Sequence, residues 1–89
     1  MSLKAAIQSA VQTALYHNNK VYDQSQIMTA VPYGFSTPAL MRDLLLDISH
    51  ELASDSPPIQ LNVNGMDYNR CMNGSVNDLQ AYIYATVSP

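Results

Sequence analysis

Ile59-Gln60-Leu61-Asn62-Val63, then Asn64-Gly65, then Met66-Asp67-Tyr68-Asn69-Arg70 is the stretch on which the fold class turns. Both arms alternate apolar and polar residues, the period of a half-buried strand. Asn-Gly is the favoured pair for a two-residue type I′ turn, because both central residues need positive φ. A turn there sets Val63 opposite Met66, Leu61 opposite Tyr68 and Ile59 opposite Arg70. Gln60, Asn62, Asp67 and Asn69 then share the other face, so pattern and turn chemistry agree on one register. The expectation is a β-hairpin over residues 59–70.

Working outward, the elements on either side read as helices. Residues 38–53 place Leu40, Met41, Leu44, Leu45, Ile48 and Leu52 in one stripe at about 100° per residue, wide enough to face a core. Ser36 or Thr37 can cap this helix, and Pro38 suits its first position, where a missing N–H costs nothing. Leu46 points away from the core, while Asp43, Asp47 and Glu51 lie on a neighbouring strip. Residues 3–17 form an earlier helix with Leu3, Ile7, Ala10, Val11 and Ala14 on one face, capped by Ser2 and stopped at Asn18-Asn19. Lys20 to Asp23 reads as a short extended piece, and Ser25 to Val31 as a short helix ended by Pro32. After the hairpin, Ser75 and Asp78 make an S-x-x-D capping signature opening a last helix. Tyr82 to Val87 is rich in strand formers, so the second half of that helix could instead be extended. Together these give one domain over residues 1–89, of α+β class, with three to four helices and one hairpin.

Residues 20–71 resemble a winged helix-turn-helix domain. The match lies in Gln26, Ala30, Gly34 and Ser36, at positions 1, 5, 9 and 11 of a helix-turn-helix segment, with Phe35 and Leu40 at inward-facing apolar positions. The resemblance implies that Asn64-Gly65 is the tip of the wing. It also implies that Ser36, Thr37, Met41, Arg42 and Leu45 sit on the recognition side of the long helix, the surface of a DNA-binding transcriptional regulator.

The charge of the chain argues against that use. Among 89 residues there are 4 Lys and Arg against 7 Asp and Glu, a formal net charge of -3. Nucleic-acid affinity comes mostly from phosphate neutralisation, on the order of 6–10 contacts for a useful binder. Of the five residues on the implied recognition face only Arg42 is basic, and Asp43 and Asp47 stand beside it. Nucleic acid is therefore disfavoured, and a protein partner is the better expectation. Asp43, Asp47, Glu51 and Asp55 recur every four residues, a spacing at which like charges destabilise a helix by about 0.2–0.5 kcal/mol per pair. The strip is either a plain solvated face or a surface for a basic partner. Leu46, among Ala39, Arg42, His50 and Ala53, is a candidate partner or homodimer contact.

Catalysis is not expected. No phosphate-binding glycine loop, zinc spacing or nucleophile elbow is present, and Ser49 and His50 are adjacent, so they cannot face each other on a helix. Asp47 and His50 stand at i, i+3, but only His17 and Cys71 could complete a transition-metal site, so neither metal nor cofactor is expected. The one cysteine can form no internal disulfide, which suits a reducing cytoplasm. The longest aliphatic run, Leu44-Leu45-Leu46, is far below the roughly 20 residues of a membrane span, and the first residues do not read as a signal peptide. The reading is a non-enzymatic interaction or regulatory module that uses Asp43, Asp47, Glu51 and Leu46.

Overall fold

Capping chemistry sets where each helix begins. In the computed structural model, which describes residues 2–88, Ser2 Oγ accepts the Ala5 N–H at 3.1 Å and opens α1, Leu3–His17. Thr37 Oγ1 accepts the Leu40 N–H at 3.2 Å and opens α2, Pro38–Ala53, with proline at its first position. Asp67 Oδ1 accepts the Arg70 N–H at 3.2 Å and opens the five-residue α3, Tyr68–Met72. Ser75 and Asp78 form a reciprocal capping box at the start of α4, Val76–Val87. α1 ends in a Schellman motif: Asn19 takes φ 61°, and the Lys20 N–H reaches back to the Leu15 carbonyl at 2.9 Å. The strand formers at 82–87 stay helical to Val87, because the turns before them are capped and Ile83 is fully buried.

The hairpin is the main correction. Among the described residues there is no strand or sheet, so the domain is helical rather than α+β. Asn64-Gly65 lies in a single 3-10 turn, Val63–Gly65, and neither residue takes the positive φ a type I′ turn needs. Asp67 decides the outcome: its side chain caps α3, and its N–H donates to the Tyr82 hydroxyl at 3.0 Å. The second arm therefore coils instead of pairing. The first arm keeps its sidedness, with Leu61 and Val63 buried and Gln60 and Asn62 exposed. A side chain of α2 stands in for a partner strand, since Ser49 Oγ donates to the Leu61 carbonyl at 3.3 Å.

The expected helix at Ser25 to Val31 is also absent, which removes the first helix of the implied helix-turn-helix. Pro32 disfavours helical geometry in the residue before it. Asp23 also competes for the local donors, its Oδ1 accepting the Ser25 hydroxyl at 2.8 Å and the Ser25 N–H at 3.0 Å. Those bonds, the hydroxyl first, hold the Asp23 carboxyl below its ordinary pKa. Residues 24–28 instead lie along the start of α4. The Val76 N–H donates to Gln26 O at 3.0 Å, the Asn77 N–H to Gln24 O at 2.9 Å, and the Met28 N–H to Gly74 O at 2.9 Å. The loop thus supplies acceptors that the first turn of α4 would otherwise lack. Tyr33 closes it from within, its hydroxyl accepting the Asp23 N–H and donating to the Val21 carbonyl. Burial pushes that phenol above its ordinary pKa.

The helices meet as a ring. α1 packs on α2 and on α4, and α3 bridges α2 and α4 on the other side. Their shared core includes Ile7, Val11 and Leu15 of α1, Met41, Leu44, Leu45, Ile48 and Leu52 of α2, Cys71 of α3, and Val76, Leu79 and Ile83 of α4. Leu40, expected in the core stripe of α2, is 46% exposed. It lies in the first turn of α2, next to the fully buried Met41. No helix among the described residues is long and apolar enough to cross a membrane.

Cys71 gives the core a chemical readout. Burial first, and then the nearby Asp67 carboxylate, push its thiol up to about 11, with Arg70 pulling the other way. The unfolded thiol titrates near its ordinary value of 9.0, so its contribution to stability is complete below about pH 9 and lost as pH rises toward 11. At pH 8 the native thiolate fraction is about a hundredfold below that of the unfolded chain. Native Cys71 should therefore alkylate with iodoacetamide at least about a hundredfold more slowly than the urea-unfolded chain. Equal rates would contradict this burial.

Candidate functional site

The residues singled out on α2 fall into two groups once the helix is packed. Met41 and Leu45 are fully buried, so neither can serve on a recognition surface. That is a correction to the nucleic-acid face implied by the winged-helix resemblance. Ser36, Thr37 and Arg42 remain exposed, but the Thr37 hydroxyl is already the helix cap. One cation and one free hydroxyl make a poor phosphate surface.

The acidic strip is placed differently. Asp43 is exposed, Asp47 and Glu51 are half-buried, and Leu46 is 41% exposed beside them. α1 and α2 run in opposite senses along this side. The end of α1 meets Asp47 in mid-α2, while Ala6, Ser9 and Ala10 face Leu52, Ser54 and Asp55. That arrangement brings in a residue from outside the strip. His17 Nδ1 lies 3.2 Å from both Asp47 Oδ1 and Oδ2. One ligand-capable atom from each of His17, Asp47 and Glu51 lies within 4.8 Å of the other two.

His50, which stands at i, i+3 from Asp47 along the chain, is exposed and is not one of the three. Cys71 is buried in the core and is not one of them either. The sequence does carry half of this cluster, in the i, i+4 spacing of Asp47 and Glu51. The other half is 30 residues away from Asp47 and depends on the pairing of α1 with α2.

Charge on this face is poorly compensated. The contact of His17 with Asp47 is the ion pair found among the described residues, and it is charged only when the imidazole is protonated. Among the described residues no lysine or arginine lies within ion-pair distance of Asp43, Asp47, Glu51 or Asp55. Two of the four cations are used elsewhere: Arg70 stacks 4.2 Å over the Tyr82 ring, and Lys4 lies 5.2 Å over that of Tyr84. Glu51 and Asp55 also border a groove of about 150 Å³ between α1 and α2, with the hydroxyl residues Ser9, Thr13 and Ser54.

A larger cleft of about 360 Å³ lies between α1 and α4, bordered by Lys4, Gln8, Gln24, Asn77, Gln80 and Tyr84. Its polar lining is mainly carboxamide, with one ammonium group. It brings together no nucleophile and base of the kind a hydrolytic or transfer reaction needs. The chemistry with a long-range origin is therefore at the α1–α2 seam. Compared with protein-family models, curated proteins and solved structures, the chain matches none of them.

Proposed function

We propose that this chain is a protein–protein interaction or regulatory module, without a reaction of its own, that offers the outer face of α2 to a basic partner in a reducing cytoplasm. The observation that carries the reading is a strip of carboxylates on Asp43, Asp47 and Glu51 with no lysine or arginine paired to it among the described residues. Uncompensated charge of one sign raises the encounter rate with the opposite sign and penalises wrong partners. Leu46, 41% exposed on the same helix, supplies an apolar contact next to the strip. A symmetric dimer through this face would set two acidic strips against each other, so the charges that suit a basic partner oppose self-pairing there.

The test uses a fluorescent lysine-rich peptide as the probe. Wild type should bind it at low salt and lose it steeply as salt rises, and the double variant Asp43→Lys, Asp47→Lys should bind at least about tenfold more weakly. On immobilised heparin the wild type should flow through. Unchanged peptide affinity in the double variant, or salt-dependent retention on heparin, would reject the reading.

A further inference from the structure

We propose that His17, Asp47 and Glu51 bind a divalent transition-metal ion of the zinc class, held across the seam between α1 and α2. Three features of the seam support this beyond the presence of acids. The first is the mixed donor set. One imidazole nitrogen and two carboxylates suit zinc, cobalt or nickel, whereas calcium takes six to eight oxygens and magnesium an octahedral oxygen shell. The second is the geometry. With metal–ligand distances of about 2.0–2.1 Å, neighbouring ligands of a tetrahedral ion lie about 3.3 Å apart. His17 Nδ1 and the Asp47 oxygens are already at 3.2 Å. Glu51, half-buried one turn further on, offers a carboxylate oxygen within 4.8 Å of both.

The third feature is charge. Two carboxylates with a neutral imidazole make a set of charge −2, which a dication neutralises, and no lysine or arginine among the described residues does that work here. His50 and Asp43 on the same helix lie outside the set, which makes them internal controls. A metal here ties the end of α1 to the middle of α2 and so stabilises the folded chain by mass action. The proposal does not rest on the partner reading.

The experiment titrates the full chain with Zn²⁺ by calorimetry and with Co²⁺ by visible absorption. Expected are one ion per chain, Co²⁺ bands of a low-coordinate site, and no competition from Mg²⁺ or Ca²⁺ at millimolar level. Loss of even an outer-shell partner costs on the order of 10–100-fold in metal affinity, so each of His17→Gln, Asp47→Asn and Glu51→Gln should weaken binding at least about tenfold. Asp43→Asn and His50→Gln should leave it within about twofold. All five change partly or fully exposed side chains, and unaltered helical circular dichroism will confirm that each variant is folded. No saturable binding by wild type would overturn the proposal and leave His17 and Asp47 as a hydrogen bond only. Binding that survives His17→Gln, or that falls with His50→Gln, would overturn it as well. Asp47 and Glu51 belong to both surfaces, so peptide capture is measured on the metal-free chain; there His17→Gln removes no carboxylate and leaves capture intact, and the two readings fail separately.

Discussion

Replacing Leu45 by alanine will cost about 2–5 kcal/mol of stability, the range for deleting a fully buried leucine side chain. Leu45 is 0% exposed, within the core that the four helices share. Its loss removes the transfer free energy of the buried methyl groups and leaves a cavity that a ring of four helices can only partly close. A domain of this size has a total stability of about 4–13 kcal/mol, so the loss is a large fraction of it. Each kcal/mol lowers the melting temperature by roughly 4–8 °C at this chain length. The neighbouring Leu46, 41% exposed, gives the control. Leu46→Ala should change stability by about 0.5 kcal/mol, as surface substitutions do. Urea denaturation of the pair distinguishes a buried Leu45 from one on a nucleic-acid recognition face, where the two substitutions would cost about the same.

Gly74→Ala carries the next largest effect, about 2–4 kcal/mol. Gly74 has φ 137°, a conformation L side chains rarely adopt, and forcing one into it costs on the order of 1–3 kcal/mol. A Cβ there would also sit 2.5 Å from Asp78 Oδ2. That oxygen accepts the Ser75 N–H at 3.0 Å and the Ser75 hydroxyl at 3.2 Å, so moving it opens the capping box of α4. Loss of a cap adds roughly 1 kcal/mol. The strain spreads further, because the Gly74 carbonyl accepts the Met28 N–H and so holds the 24–28 loop against α4. Gly34→Ala is the comparison: φ is also positive, 70°, but a Cβ would meet nothing within 4 Å. It should cost only the left-handed penalty of about 1–2 kcal/mol. Equal losses in the two variants would show that the contact with Asp78 has no weight.

Helix starts were legible because they rest on contacts within four residues. Ser2, Thr37 and Ser75 each cap the helix their position announces. The Asn18-Asn19 stop is equally local. The stripe of Leu44, Leu45, Ile48 and Leu52 on α2 is buried because one face of a helix must be. The hairpin failed where two local signals compete over the same residues. Asn64-Gly65 offers a type I′ turn, while Asp67 followed by Arg70 three residues later offers a helix cap. The capped turn wins because Tyr68 and Cys71, three apart, can then turn toward the core together, whereas a lone two-stranded hairpin is marginal in water. The missed helix at 25–31 has a similar cause. The Asp23 side chain and the first turn of α4 take up backbone groups that a helix would have used internally.

The caps of α1, α2 and α4, the apolar face of each long helix and the row of acids at 43, 47 and 51 follow from the order of residues alone. Each is a property of residues within one or two turns, where propensity, capping and periodicity act. Tertiary structure decided the rest. It coiled residues 68–72, laid the 24–28 loop along α4, and left Leu40 out of the core stripe. It also set His17 beside Asp47 and Glu51, a meeting that no spacing along the chain encodes. The physical reason is the same in each case. Which of two locally acceptable conformations survives, and which distant side chains touch, depends on how α1, α2 and α4 bury their apolar faces together. That burial is a property of the whole chain.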